Sequence, residues 1–177
     1  MAVSQQVNAQ FAVKHNLLYD AAGLTPNLGI EVGTGKKQTA QLFYGLNPWE
    51  FSDDKQMKHW CLMPEYRWWF CHKFSGSFVG VHGLGGEFNA SNIDLPLGLW
   101  DELKDHRIEG WYIGGGLTYG YQWVMSKHWN FEASIGAGFI HFDYDQFNCG
   151  KCGEKDHSGD KNYWGVTKAA LSFLYLF

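Results

Sequence analysis

Residues 110–124, GWYIGGGLTYGYQWV, alternate between two kinds of side chain along their whole length. Successive side chains of a β-strand point to opposite faces, so the alternation predicts a strand with one apolar face and one small or polar face. The same period of two recurs in residues 27–34, 59–70 and 129–142. The apolar set of the first stretch is Trp111, Ile113, Gly115, Leu117, Tyr119, Tyr121 and Trp123.

Eight segments with strand character can be drawn along the chain, and the connections between them differ in length. GTGKKQ, CHKFSG and MSKHW are tight turns, whereas the polar connections after the third, fifth and seventh segments are long. An even number of strands with tight turns on one side and long loops on the other is typical of an outer-membrane barrel. We therefore expect an all-β fold, an eight-stranded antiparallel transmembrane β-barrel with short periplasmic turns and longer extracellular loops. The predicted strands cover residues 12–20, 27–34, 38–47, 59–70, 77–88, 110–124, 129–142 and 163–177.

The composition narrows the class of protein further. Glycine occurs 22 times and aromatic residues make up 18% of the 177 residues, which favours strands over helices. The formal net charge of -4 provides no basic field for nucleic acid. No apolar run is long enough for a membrane-spanning helix, which excludes a helical membrane protein. Residues 1–10 are interpreted as a signal-peptide remnant or a disordered arm, which leaves residues 11–177 for the outer-membrane barrel.

The chemistry of the two strand faces distinguishes a membrane barrel from a soluble one. A lipocalin-type barrel holds apolar residues inside and polar residues outside. Here the second face consists of Gly, Thr, Asn, Gln and Glu, which would line a poor apolar pocket. The apolar face is long and is tipped by Trp and Tyr, as expected of a lipid-facing band with aromatic girdles. We therefore expect the apolar face to point outward into lipid.

The alternation also places charged residues inside the barrel, three of each sign. Unpaired charges in a narrow interior would cost several kcal/mol each, so a balanced set predicts a network of salt bridges that fills the lumen. Eight strands enclose only enough space for side chains, and we expect a plugged lumen without a diffusion channel. The predicted lumen charge network consists of Lys14, Glu31, Glu65, Arg67, Glu132 and Lys168.

Four residues do not fit this scheme. His15, His82 and His141 have the outward parity, and Pro64 lies within the fourth strand, where a closed barrel has no free edge for it. A bulge at Pro64 or a shift of parity after Val81 would account for most of these exceptions. Alternatively, the outward histidines lie near the membrane interfaces or against a membrane protein partner.

The sequence CGKCGEKDHSGDK contains two cysteines in a long outer loop. In an oxidising compartment, a disulfide that closes the small ring between Cys149 and Cys152 is the simplest interpretation. A zinc site with Asp156, His157 and Asp160 is an alternative, but the usual second pair of ligands is absent at the required spacing. Free thiols, or pairing with other cysteines, are further alternatives.

The loop PLGLWDELKDHRIEG, residues 96–110, places apolar side chains among charged ones. It could form one or two helical turns that pack on the barrel mouth, or it could expose an adhesive patch to a partner. The residues of this candidate partner loop are Leu97, Leu99, Trp100 and Leu103.

A lipid-modifying enzyme acting on the acyl chains of lipid A is the alternative function. Such an enzyme needs a base beside a nucleophile near the outer leaflet, and the chain contains suitable residue types. It has no nucleophile motif of the G-x-S-x-G kind, and we predict neither catalytic residues nor a cofactor. The candidate residues for this alternative are His59, Asp105, His106, His157 and Ser158.

Several stretches together resemble a family of small outer-membrane barrels of Gram-negative bacteria whose function is unknown. They are VKHNLLYDA, NLGIEVG, YGLNPWEFSDDKQMKHW, PEYRWWFC, KDHRIEGWYIGGGLTYGYQW, FEASIGAGF, CGKCGEK and NYWGVTKAALSFLYL, and they cover nearly the whole chain after residue 11. The architecture is also similar to the barrel of OmpA-like proteins and to OmpX. The resemblance implies an integral protein of the bacterial outer membrane with both termini in the periplasm.

The resemblance also gives a role to the aromatic end LSFLYLF. In outer-membrane barrels a terminal aromatic residue serves as the signal for the barrel-assembly machinery, which implies this role for Phe173, Tyr175 and Phe177. The partners we expect are outer-membrane lipid, that machinery during biogenesis and a membrane protein partner, with no nucleic acid. The expected function is non-enzymatic: a structural or interaction role, including that of a subunit in a larger outer-membrane or surface assembly.

Overall fold

The computed structural model describes five ranges of the chain, residues 10–23, 25–48, 56–91, 107–147 and 155–177. Within these ranges the chain forms eight strands and one short helix. Each strand pairs antiparallel with the next and β1 pairs with β8, so the strands form a closed barrel, which confirms the all-β, eight-stranded antiparallel prediction. The elements are β1 (Phe11–Asn16), α1 (Leu17–Gly23), β2 (Asn27–Gly33), β3 (Gln38–Asn47), β4 (Gln56–Trp69), β5 (Gly76–Ser91), β6 (Arg107–Val124), β7 (Trp129–Phe147) and β8 (Lys155–Leu176).

The register of the pairs shows that the strands are strongly staggered. A path that starts at Ala12 and follows the paired residues from strand to strand arrives at Gly165 on β8. Ala12 itself pairs with Leu176, near the other end of β8. A sheet closes on itself only when its strands tilt and their register is staggered in this way.

Burial follows the same period of two that the sequence shows. On β6, Thr118 is 3% exposed whereas its neighbour Leu117 is 69% exposed. On β8, Leu174 is buried and Trp164 is 76% exposed. The small or polar face therefore points into the lumen, and the apolar face points outward.

The first predicted strand, residues 12–20, is wrong in its second half. β1 ends at Asn16, and the chain continues as helix α1. The Asn16 side-chain oxygen accepts a hydrogen bond from the Leu18 backbone N–H at 3.1 Å, as an N-cap residue does. The apolar Leu17 and Leu18 extend the apparent strand pattern in the sequence, although their backbone is already helical.

The predicted start of the last strand at residue 163 is also wrong, because β8 begins at Lys155. β7 likewise continues to Phe147, beyond the predicted end at residue 142. Two register shifts interrupt the pairing of these strands, between Gly136 and Ala137 and between Gln146 and Phe147.

Pro64 does not create the predicted bulge. β4 pairs with β5 through Leu62 and Gly85 before the proline and through Glu65 and His82 after it, and the register is the same on both sides. The pairs with β5 are interrupted at Pro64, whereas the pairing of β3 with β4 continues through it. Because proline has no N–H to donate, the ladder loses pairs here without gaining an extra residue. No parity shift follows Val81 either. Val79, Val81 and Glu87 have the same parity, and all three are exposed on the outer face.

The barrel wall is much lower at β1 than at β8. β7 pairs with β8 from Lys155 to Tyr175, but β1 pairs only with its last part, from Ser172 to Leu176. Helix α1 packs against β8 beyond the end of β1, on the side away from the short turns. In the part of the chain that the structure describes, no helix is long and apolar enough to cross a membrane.

Candidate functional site

Arg67 lies at the centre of the lumen and is fully buried. Its Nη1 contacts Glu31 Oε2 at 3.0 Å and Glu132 Oε2 at 2.8 Å. Its Nη2 contacts Glu65 Oε2 at 2.9 Å and Glu132 Oε1 at 3.1 Å. The pairing with Glu132 is therefore bidentate, the geometry in which an arginine binds a carboxylate most strongly.

The two lysines of the predicted network join the same carboxylates. Lys14 Nζ lies 2.9 Å from Glu31 Oε2 and 3.0 Å from Glu132 Oε2. Lys168 Nζ lies 2.5 Å from Glu65 Oε2. The structure thus brings all six residues together, each at most 8% exposed. Three positive and three negative charges balance one another, which a buried cluster requires.

The strand register explains why these residues meet. Glu31, Gln41 and Glu65 are successive partners across β2, β3 and β4, so their side chains lie in one row inside the barrel. Arg67 follows Glu65 by two positions and therefore points to the same face. Gln41 belongs to the row as an uncharged member, and its Oε1 accepts a hydrogen bond from Lys14 Nζ at 2.6 Å.

Apolar residues fill the lumen on both sides of the charge network. Towards the short turns, Phe74 comes from the β4–β5 connection with a φ of 61° and is fully buried beside Trp69. The Phe78 ring lies 4.4 Å from Arg67 Cζ, a cation–π contact. A cavity of about 90 Å³ remains beside the network. The cluster on the other side consists of Phe43, Cys61, Met63, Leu84 and Ile140.

The three histidines that sequence parity places outside have different positions. His82 is a correction: it is 1% exposed and points inward, with Nδ1 2.8 Å from Thr118 Oγ1 and Nε2 2.8 Å from Thr167 Oγ1. The outward prediction for His82 was wrong because this residue shares its parity with Phe78 and Leu84, which are apolar and yet point into the lumen. His15 and His141 do lie on the outer side, beside Asp20 in α1 and beside Asn162 in β8.

A polar group lies in the lumen on the side away from the short turns, and the sequence did not predict it. Tyr19 of α1 places its hydroxyl 3.1 Å from His59 Nε2, and its ring packs edge-on against Phe43. Tyr19 and Tyr112 both pack against the cluster that contains Cys61, and the Tyr112 hydroxyl donates a hydrogen bond to the Trp60 carbonyl oxygen at 3.4 Å. The two consecutive alanines at positions 21 and 22 were the available sign that this segment is helical, because alanine has the highest helix propensity.

The remaining predicted residues are spread over the chain. Ser158 is exposed on β8, and His157 belongs to the same strand. The thiols of Cys61 and Cys71 are free. Within the described ranges, no group of three or more His, Cys, Asp or Glu side chains could hold a metal ion. The predicted residues that lie outside the described ranges are Leu97, Leu99, Trp100, Leu103, Asp105, His106, Cys149 and Cys152.

Aromatic side chains mark both ends of the outward apolar face. Near the short turns, Phe177 packs against Tyr175 and Phe11 at centroid distances of 4.9 and 5.4 Å, and Phe173 packs edge-on against Phe131. Several tryptophans lie at the same level, and others lie at the opposite end of the apolar face. Those near the turns are Trp68, Trp123 and Trp129, and those at the opposite end are Trp60, Trp111 and Trp164.

The sequence matches one family model over its whole length. Residues 1–177 match the model of a family described as DUF3575, a protein family of unknown function. The chain belongs to the DUF3575 family. The search of curated proteins found no match. Membership in DUF3575 and the closed eight-stranded sheet agree with the resemblance to a barrel family of unknown function, whereas the likeness to OmpA and OmpX stays a prediction.

Proposed function

We propose that this DUF3575 protein is an integral outer-membrane barrel with a plugged lumen and a non-enzymatic, structural or interaction role. The observation that carries the proposal is its inverted polarity. Six charged residues are buried inside the barrel, whereas Leu117 and Trp164 are 69% and 76% exposed outside it. Exposed apolar faces of this extent are unfavourable in water and favourable in lipid.

The closed ring supports the same proposal. In the hydrocarbon region of a bilayer every backbone N–H and C=O needs a partner within the protein, and only helices and closed barrels satisfy this demand. The aromatic rims at the two ends of the apolar face have the arrangement expected at the two membrane–water interfaces. The short turns would then lie in the periplasm with both termini, and the taller side of the barrel would face the exterior.

The filled lumen favours a function at the surface of the barrel rather than through its interior. The Arg67 cluster and the aromatic side chains of Phe74 and Phe78 occupy the interior, and the cavity beside them measures only about 90 Å³. Passage of a solute would require these groups to move apart. We therefore propose a subunit of a larger outer-membrane or surface assembly, with barrel-assembly machinery, lipid and a membrane protein as its partners.

Membrane integration is tested by membrane fractionation and by mobility in gels without heating. We expect the full chain in the outer-membrane fraction, solubilised only by detergent, with a band that shifts on boiling as the barrel unfolds. A product that stays in solution without detergent would contradict the architecture. Planar-bilayer recordings should show no discrete single-channel steps, and steady pore currents would contradict the plugged lumen.

The assembly role is tested by purification from native membranes in a mild detergent. We expect the protein to migrate as a complex larger than the monomer, and migration alone at monomer size would contradict this part of the proposal.

Catalysis is tested at His59, a candidate residue of the enzyme hypothesis whose ring lies beside a hydroxyl group. The hydroxyl beside His59 belongs to Tyr19, whereas lipid acyl chemistry at a serine needs a base beside that serine. We expect His59→Ala to leave the acyl pattern of outer-leaflet lipid unchanged in mass analysis. An acyl chain gained or lost in the variant strain would favour the lipid-modifying enzyme instead.

A further inference from the structure

Two polar side chains lie together on the outward face of the barrel, where β1 meets helix α1. His15 Nε2 lies 2.5 Å from Asp20 Oδ2, and His15 Nδ1 lies 2.9 Å from the Asn27 carbonyl oxygen. The side chains of His15 and Asp20 are 44% and 37% exposed. Their outward neighbours, Phe173 paired with His15 and Leu28 next to Asn27, are exposed apolar residues. An acid–base pair therefore interrupts the apolar outward face.

The pair lies between the two aromatic rims. Phe11, four positions before His15 on β1, packs against Phe177 in the rim near the short turns. Four residues of strand are about 13 Å long, which raises His15 about 10 Å above that rim when the strands tilt by about 40°. Trp164 of the opposite rim lies nine positions from Phe173, the partner of His15 on β8. Because the apolar band of an outer-membrane barrel is about 25 Å tall, the pair lies near the middle of the band that the proposed function places in lipid.

The backbone leaves the sheet at the same depth. β1 ends at Asn16 and β2 begins at Asn27, and these two residues lie side by side, since the Asn16 N–H donates a hydrogen bond to Asn27 Oδ1 at 2.8 Å. Helix α1 and the non-helical, exposed Pro26 belong to the connection between the two strands. Non-helical backbone is tolerated at membrane depth only where protein covers it or where it lines a water-filled cavity. An ionisable pair that faces lipid is unfavourable for the same reason. Both features favour a protein partner on this face of the barrel.

The chemistry of this face makes it complementary to itself. The α1 face, as we call it, consists of one base, one acid and three exposed leucines: His15, Asp20, Leu17, Leu18 and Leu28. Two copies inserted in the same direction can meet through a two-fold axis along the membrane normal, which brings the same patch of each copy together. That axis reverses the direction from His15 to Asp20 within the membrane plane. The base of one copy then approaches the acid of the other, and the leucines cover one another.

We propose that the α1 face binds the α1 face of a second copy of this chain, so that the barrel is a symmetric dimer in the membrane. The dimer removes the His15–Asp20 pair and the connection at Pro26 from lipid. The inference rests on the proposed function, because only a bilayer makes the exposure of these groups unfavourable. It deepens that function by naming the first partner of the assembly and the surface that binds it.

A photo-crosslinking amino acid placed at Leu18 of the full chain tests the proposal in native outer membranes. We expect a product of twice the monomer mass in which mass spectrometry finds only this chain. The matched control is Val81, which is also exposed and lies on β5, opposite β1 in the ring of eight strands. A crosslinker at Val81 should give no such product.

The other outcomes of this experiment overturn the inference and leave the proposed function distinguishable from it. A product at Leu18 that contains a different protein would support a subunit role and refute the second copy as partner. A dimer crosslinked from Val81 would place the contact on the wrong face. If neither position gives a product while the protein still shows the mobility shift of a folded barrel, membrane integration stands and the dimer is refuted.

Two kinds of variant locate the contact. Leu28→Trp adds bulk to the α1 face and should lower the yield of dimer at Leu18 at least about tenfold, whereas Val81→Trp should leave it unchanged. The double variant His15→Leu/Asp20→Leu makes the face entirely apolar, so that lipid can cover it, and should lower the yield about tenfold as well. It keeps the test valid if Leu28→Trp folds poorly. Unchanged dimer yield in both variants would refute the α1 face as the interface.

Discussion

Replacement of Arg67 by methionine tests the reasoning about the lumen most directly. Arg67 contacts three carboxylates within 3.1 Å and is fully buried, so the substitution removes four hydrogen bonds at once. Three buried glutamates then share two lysines, and one negative charge has no counterpart. Methionine fills much of the vacated volume because its unbranched side chain adapts to irregular space.

The size of the effect follows from the loss of charge balance. Removing one partner of a buried ion pair costs about 3–5 kcal/mol, since the remaining charge stays buried without compensation. The cation–π contact with Phe78 adds about 1 kcal/mol. Because a typical protein is stable by ~5–15 kcal/mol, the variant should lose a large share of its free energy of unfolding.

Urea unfolding of the refolded protein in detergent, followed by the mobility shift and by tryptophan fluorescence, measures this loss. The control is Lys36→Met, an exposed lysine in the β2–β3 turn, which should change the unfolding free energy by less than about 0.5 kcal/mol. The double variant Arg67→Met/Glu132→Gln has two charges of each sign and should be more stable than Arg67→Met alone. If Arg67→Met unfolds at the same urea concentration as Lys36→Met, or if the double variant is the less stable one, the charge-balance reasoning is wrong.

Three further predictions concern packing and assembly. Gln122→Met should raise the unfolding free energy by about 1–3 kcal/mol, because both amide atoms of this buried residue lack a hydrogen-bond partner in the described ranges; an unchanged urea midpoint would show that they are satisfied. Gly138→Ala should lower it by ~1–3 kcal/mol, since its Cβ would lie 2.0 Å from a backbone oxygen, whereas Gly85→Ala should be tolerated; equal midpoints would contradict the close strand approach. Phe177→Ser should reduce the amount of barrel in the outer membrane relative to Leu117→Ser, because the resemblance implies that the assembly machinery reads this residue; equal immunoblot levels in the two variants would argue against that role.

The sequence predicts the middle of each strand well because the two faces of the strand differ there. An apolar outer face alternates with a packed polar interior at every second residue, so Leu117 and Thr118 can be assigned to opposite faces from the sequence alone. The same parity predicts the inward positions of Arg67 and Glu132. It could not predict which charges touch, because that depends on the stagger between strands that are distant in sequence.

The strand ends that lie away from the short turns could not be predicted either, because the difference between the two faces is lost there. Beyond Trp164, the outward residues Asn162, Asp160 and Ser158 are polar and exposed. Once both faces of a strand are polar, the period of two disappears and the segment is indistinguishable from a loop. The early start of β8 and the late end of β7 were therefore not predicted. Helix α1 was missed for a different reason, because its leucines continue the apolar pattern of β1.

The uneven wall of the barrel makes Asn16 more important than its place at the end of a short strand suggests. β8 continues far beyond the last pair with β1, which leaves backbone groups of β8 without a strand partner on that side. Asn16 is 5% exposed; its Oδ1 accepts from the Leu171 N–H at 3.2 Å, and its Nδ2 reaches the Ala169 carbonyl oxygen at 3.5 Å. The same Oδ1 caps α1 through Leu18. The buried amide of Asn16 thus takes the place of strand partners that β8 would otherwise lack. It also caps the helix that packs against the next part of β8. The closed ring therefore tolerates a first strand of only six residues.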